Sequence, residues 1–308
     1  GRRVAVLERG RERVPGEYPT WWWPARREIQ LNTPSGRRGD RRSLFEFHVN
    51  PELHALVGCG LGGTSLINAN VVEPAEDAVF ADPVWPAALR VTDGHRPLAP
   101  YEDRARAMLR ATPYPETRRA PAKLGALEAS AAAIGRPDAF RRPSIAVTFE
   151  HHVGPGGVVQ SPCTDCGDCV TGCNQGAKNT TLMTYLPDAV AHGADVFCEV
   201  EVERVARRPA GAPWVVHLRA LGDGRQRFGH AGQLFVTADV VVLGAGTFGS
   251  TRILSRSAHA GLELSPALGH RFSGNGDVLA FGYDGRRRTI VKAWTPVSGD
   301  KIVFRYDD

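Results

Sequence analysis

Nothing in these 308 residues approaches the roughly 18 consecutive apolar residues that a membrane-spanning helix needs. Methionine is scarce, at two residues. Of 38 basic residues, only Lys123, Lys178, Lys292 and Lys301 are lysines. The arginines stand mostly singly or in pairs and never form a run interleaved with aromatics. The net charge of +5 therefore reads as solvated faces, not as a nucleic-acid footprint. Internal repeats and low-complexity tracts are absent, which removes solenoid and disordered-linker readings. Six cysteines in a chain of this size, with no secretory signal in view, do not suggest a disulfide framework.

What is present is the composition of an ordinary globular chain, 42% apolar and 23% charged. Its length allows a sizeable core and two domains. The most informative stretch runs from Val57 to Asn70 (VGCGLGGTSLINAN). Gly58, Gly60, Gly62 and Gly63 let backbone pass close to a ligand and adopt positive φ without strain. The exposed N–H groups of such a loop bind anions, above all at a helix start. Thr64 and Ser65 add hydroxyls, and Asn68 and Asn70 add amides. This is how a chain wraps a large, flat, phosphate-bearing cofactor.

Two further elements point the same way. Val4-Ala5-Val6-Leu7 reads as a buried parallel strand closed by Glu8. In dinucleotide-binding folds an acidic residue at a strand end accepts hydrogen bonds from the adenosine ribose. It normally follows a G-x-G-x-x-G turn by about twenty residues, so that turn and its strand are expected upstream of Gly1. Asp239 to Leu243 reads as a second buried strand. It leads through Gly244-Ala245-Gly246 into a helix with Thr247 and Ser250 as N-cap candidates.

In this order, these elements resemble the glucose–methanol–choline family of flavin oxidoreductases, in its cholesterol-oxidase-like bacterial branch. The matching pieces are Val6 to Gly10, Gly58 to Asn70 with Glu73-Pro74, Asp82 to Pro86, Cys163 to Thr180, Gly244 to Gly246 with its helix, and Phe272 to Asp277. The resemblance implies FAD as cofactor. Glu8 would take the adenosine ribose, and Gly58, Gly60, Gly62, Gly63 and Thr64 would pass the pyrophosphate and ribityl chain. Asn68 would sit near the flavin ring, Val202 would hold adenine through its backbone, and Gly246 would lie beside the ribityl chain. Asn275 and Asp277 would approach the ring from its far side. The family's catalytic His is expected beyond Asp308, and the ten His residues here read as surface or core residues.

The implied fold is α/β, a Rossmann-like FAD-binding domain without its first strand, with a helical cap and the start of an antiparallel substrate-domain sheet. The expected division is 1–84 and 161–275 for FAD, 85–160 for the cap, and 276–308 for the start of the substrate domain. Helices are expected over 98–110, with Pro100 at the start, over 123–134, ended by Gly135, and over 182–191, stopped by Gly193. Residues 37–42 read as a charged loop, and Trp21-Trp22-Trp23 as a partial cover for cofactor or substrate domain.

Cys163, Cys166, Cys169 and Cys173 follow C-x2-C-x2-C-x3-C, the spacing of bacterial iron–sulfur ferredoxins. An iron–sulfur cluster, a zinc site and reduced structural thiols are the alternatives for these ligands. The function implied is oxidation of an alcohol on a bulky apolar molecule, such as a sterol, with oxygen or a carrier as electron acceptor. The alternatives are a long-chain fatty alcohol oxidase of the same family, an iron–sulfur electron-transfer flavoprotein, or an inactive binding remnant. A cytoplasmic location, or one peripheral to a membrane, is expected.

Overall fold

The structure, a computed structural model, describes residues 2–208, 213–222 and 234–274. They form a mixed α/β chain in two compact units. The first unit takes residues 2–12, 27–61 and the described part of 193–274. The second takes residues 13–26 and 62–192. Among the described residues no helix is long and apolar enough to cross a membrane.

In the first unit, strand Val4–Leu7 pairs in parallel with Ala194–Phe197, from Val4 opposite Ala194 to Leu7 opposite Phe197. The apolar run predicts a strand buried on both faces, but Val4 and Ala5 are exposed and only Val6 and Leu7 are partly covered. Ala194–Phe197 is its one strand neighbour among the described residues, so the remaining edge and much of the faces lack cover.

An antiparallel meander of Val200–Ala206, Trp214–Ala220 and Leu234–Ala238 follows. Its period-two pattern turns Val216, Leu218 and Ala220 inward. Helix Gly246–His259 lays Ile253 and Ser257, one turn apart, on this sheet. Val205, Val216, Leu218 and Ile253 form the core there, with Leu7 packed against them. The buried Ser257 hydroxyl accepts from the Val205 N–H at 2.9 Å and donates to the Ile253 carbonyl at 2.7 Å.

The strand expected over 239–243 is not formed. Pairing ends at Ala238, and Val240 and Val242 are exposed, because no strand among the described residues offers that segment a ladder. Apolar character alone does not make a strand.

A four-stranded sheet completes this unit, in the order Gly36–Arg38, Ile29–Thr33, Phe45–Val49, His54–Gly58. Its central pair is parallel and the flanking pairs antiparallel. Here the expected loop over 37–42 is corrected, since Gly36–Arg38 pairs back on Ile29–Thr33. Pro34 and Ser35 make a two-residue hairpin turn, closed by the Thr33 hydroxyl on the Gly36 carbonyl at 2.9 Å.

The second unit carries the expected helices at Ala99–Met108, Ala122–Ala133 and Tyr185–Ala191. Pro100 lies in the first turn of the first, and Gly135, at φ 73°, ends the second. Its apolar centre is Ile145, Val147, Cys163 and Ala177. The three adjacent tryptophans are all exposed, and the Arg26 guanidinium lies 4.0 Å from the Trp23 ring centroid.

Candidate functional site

In the first unit the end of strand Val4–Leu7 is tied on both sides of Glu8. The Glu8 N–H donates to the Phe197 carbonyl at 2.8 Å, and the Glu8 carbonyl accepts from the Val200 N–H at 2.9 Å. The side chain turns back, and its Oε1 accepts from the Gly10 N–H at 2.6 Å. Burial pushes this carboxyl up from its ordinary range, against backbone hydrogen bonds from Gly10, Gly60 and Arg9. Gly10 and Gly60 touch so closely that a Cβ on Gly10 would stand 2.4 Å from the Gly60 nitrogen. Position 10 admits only glycine without backbone movement. Leu61 N–H donates to the Arg11 carbonyl at 2.9 Å and fixes the last part of the turn. Glu8 and Gly60 thus stand on one pinned corner, with Gly58 two residues earlier at the end of strand His54–Gly58. Gly10 belongs to the corner as well, and its place right after an acidic strand end is the signal that marks it.

Beside this corner lies a basic network. Glu46 of strand Phe45–Val49 is ion-paired with Arg9, and its Oε1 accepts from Asn32 Nδ2 at 2.9 Å. Arg252 and Arg37 lie at 3.7 and 3.9 Å, and His48 Nε2 at 3.4 Å. Burial pushes the Glu46 carboxyl up, but hydrogen bonds from His48 and Arg9 hold it far below the usual carboxylate range. The His48 ring stacks on Phe248 at 4.4 Å. Arg41 pairs with Glu201 at 2.9 Å. An open cleft of about 480 Å³ lies here, lined by Asn32, Thr33, Gly36, Arg37, Arg41, Arg252 and Arg256. No sequence signal gathered these residues, which come from distant segments of the chain.

Val202 pairs with Leu218 next to a bulge in the meander. Gly246, at φ 67°, opens helix Gly246–His259, and a Cβ there would meet nothing within 4 Å. Ala245 precedes it at the N-cap without a side-chain cap, so neither Thr247 nor Ser250 takes that part. Asn275 and Asp277 lie outside the described residues.

In the second unit the glycine block becomes a short 3-10 turn, Gly63–Leu66. Gly62 and Gly63 have φ 114° and 56°. A Cβ on Gly62 would reach Leu66 Cδ2 at 2.9 Å, whereas one on Gly63 would meet nothing within 4 Å. The Thr64 carbonyl accepts from the N–H groups of Ile67 and Asn68 at 3.0 and 2.9 Å. Ser65 and Thr181 hydroxyls lie 3.1 Å apart and both donate to the Gly62 carbonyl. Thr64 and Asn68 are exposed, while Asn70 is buried at φ 68°.

Beneath this turn sits Lys178, only 2% exposed. Its Nζ donates to the carbonyls of Leu66, Asn68 and Cys169 at 3.1, 2.7 and 2.9 Å. Burial pulls this ammonium down to about 7, with Cys169 and Cys173 pulling the other way. Lys178 thus ties the turn at 66–68 to the cysteine loop. The signal for it in the sequence is its place as one of only four lysines, beside the cysteine run.

Among the described residues no three His, Cys, Asp or Glu side chains gather as a metal ion would require. None of the cysteines is disulfide-bonded. Cys163 lies in the apolar core with Ile145, Val147 and Ala177, and Cys173 packs against it. Burial pushes the Cys163 thiol up to about 12. Cys166 faces solvent, and Cys169 is buried in the 3-10 turn Asp168–Val170. Gly167, at φ 83°, turns the chain between Cys166 and Cys169. The reading of Cys163, Cys166, Cys169 and Cys173 as cluster ligands is therefore not supported.

The sequence profile of the GMC oxidoreductase family matches residues 43–274. The chain belongs to the GMC oxidoreductase family. Proteins of this family bind FAD. A cholesterol oxidase of Mycobacterium tuberculosis is 29% identical over 282 residues, covering 87% of this chain and 46% of that protein. A cholesterol oxidase of Acinetobacter baumannii is 27% identical over 216 residues, covering 66% of this chain and 36% of that protein. An uncharacterised GMC-type oxidoreductase of M. tuberculosis is 36% identical over 111 residues, 36% of this chain and 16% of that protein. The chain thus spans less than half the length of the curated relatives it matches.

Proposed function

We propose that this GMC oxidoreductase chain serves an FAD-dependent enzyme that oxidises the hydroxyl of a bulky apolar alcohol, a sterol in the first instance. The observation that carries the proposal is the Glu8 corner, a desolvated carboxylate at the end of a parallel strand pair. A carboxylate so placed suits the hydroxyls of the cofactor's ribose. The residues fit the group in another respect, because Gly63 and Gly246 both adopt positive φ with open space where a side chain would stand. Glu8, Gly58, Gly60, Val202 and Gly246 of the first unit would hold FAD. Gly62, Gly63, Thr64 and Asn68 of the second are assigned to it by the family pattern, as are Asn275 and Asp277. When bound, FAD supplies the acceptor for the hydride leaving the alcohol carbon. The chain's own contribution is to bind, to orient through backbone N–H groups, and to keep water from the Glu8 corner. The family's catalytic His would take the hydroxyl proton. The sterol assignment draws on the names of the two cholesterol oxidases.

The test uses the full-length protein. It is expected to purify yellow, with a two-band flavin spectrum, and to transfer electrons from a sterol to oxygen or to a dye. Glu8→Ala is expected to bind FAD roughly 10- to 100-fold more weakly, the value of a lost charge-assisted hydrogen bond, with little loss of folding stability. An unchanged FAD dissociation constant in that variant removes Glu8 from the site. A yellow protein inactive on sterols but active on long-chain primary alcohols would replace the substrate class and leave the cofactor assignment standing.

A further inference from the structure

The basic cleft of the first unit has more positive charge than its carboxylates balance. Arg37, Arg41, Arg252 and Arg256 line it, and Arg9 stands beside them; Arg9, Arg37 and Arg252 face Glu46 and Arg41 faces Glu201, five guanidiniums against two carboxylates. Arg256 has no acidic partner among the described residues. Two donors, Arg37 Nη1 and Arg41 Nε, are buried and have no hydrogen-bond partner among the described residues. Leaving such donors unmade is costly, and more so when they are charged. The strain shows in Arg37, whose guanidinium is pulled down to about 10 by burial and by Arg41, Arg252 and Arg9. Arg252 is shifted down as well, by burial first and by its arginine neighbours.

We infer that this cleft is a binding site for a phosphate or sulfate group, separate from the FAD corner. Guanidinium forks match the oxygens of a tetrahedral oxyanion, and several forks converging on one cleft recognise it with little dependence on its carrier. Strand Gly36–Arg38 and helix Gly246–His259 present Arg37, Arg252 and Arg256 from two rigid elements, so the site is built before the ligand arrives. The cleft volume of about 480 Å³ lies in the range of small-molecule pockets and exceeds the needs of a bare oxyanion. The fitting ligand is therefore a small organic molecule bearing the phosphate or sulfate group.

The test titrates full-length, FAD-loaded protein with sodium phosphate and separately with phenyl phosphate, against sodium chloride at matched ionic strength. Both phosphates are expected to raise Tm above the chloride control, phenyl phosphate at the lower concentration. If the two act at equal concentrations, the site exists and takes the free anion. Arg256→Ala breaks no ion pair among the described residues, so folding is expected to survive. That variant is expected to bind both phosphates roughly tenfold more weakly while keeping its FAD, as the loss of one charge-assisted contact predicts. Arg37→Ala is a second variant with the same expected direction. No Tm rise with either phosphate overturns the proposal. So does release of FAD by phosphate, or loss of FAD in Arg256→Ala, because either would put the cofactor's own pyrophosphate in the cleft.

Discussion

Each unit buries positive charge, and the two do it by opposite means. In the second unit the Lys178 ammonium meets three backbone carbonyls and lies out of water's reach. In the first, four guanidiniums share Glu46 and Glu201, Arg256 adds a fifth to the cleft, and two of their N–H groups have no partner among the described residues. The Lys178 cage is complete in itself, so it acts as a tie that holds a loop in shape. The arginine basin is incomplete, so it is poised to take something more. A buried cation surrounded by carbonyl dipoles is scaffold, whereas excess cations beside an open cleft form a recognition surface.

The largest effect is expected at the cage. Lys178→Met keeps most of the volume but leaves three buried carbonyls without their donor, and should cost about 3–5 kcal/mol in urea unfolding of the full-length protein. A loss under about 1 kcal/mol would mean that water or another group fills the cage, and the contrast between the units would fail. Next comes Glu46→Gln. It leaves Arg9, Arg37 and Arg252 without their shared countercharge and should cost about 1.5–3 kcal/mol. That loss should shrink as salt rises, since mutual repulsion near an open cleft is screened, while the Lys178→Met loss should be insensitive to salt. Equal salt dependence in both variants would erase the distinction.

The smallest effect is a slope with pH. Lys178 ionises at about 7 in the folded chain against an ordinary 10.5, so between these values the unfolded chain binds more protons. Stability must then rise with pH across that window, by at most about 1.4 kcal/mol per pH unit, and level off below it. Wild-type protein should show this contribution in denaturant midpoints, and Lys178→Met should lack it. A wild-type slope that matches the variant's would mean that the three carbonyls keep the ammonium charged throughout.

Much of the molecule was legible wherever the signal is local. Pro100 and Gly135 bracket real helices, and Glu8 sits at a strand end as its apolar run foretold. Gly60, Gly62 and Gly63 do adopt positive φ, while Gly58 ends the strand before them. What was not legible depends on partners far along the chain. Asp239 to Leu243 has the composition of a strand but no ladder among the described residues. The cysteine spacing matched a cluster motif, yet ligation needs four sulfurs aimed at one point. Cys163 is instead drawn into an apolar core, and Cys166 is left in solvent. Glu46 attracts arginines from positions 9, 37 and 252, a meeting that no periodicity announces. Local rules fix turns and caps, whereas charge networks are settled only by the fold.

The parallel pair at the Glu8 corner also sets a schedule for synthesis. Val4 finds its partner at Ala194, so nearly two hundred residues must leave the ribosome before the ladder can close. At about 5–20 residues per second, that is a wait of roughly 10–40 s. Throughout it the Val4–Leu7 segment is an unpaired apolar strand, open to pairing with the same segment of a neighbouring nascent chain. Conditions that slow translation lengthen that exposure, so the yield of folded protein should depend on how well chaperones shield this segment.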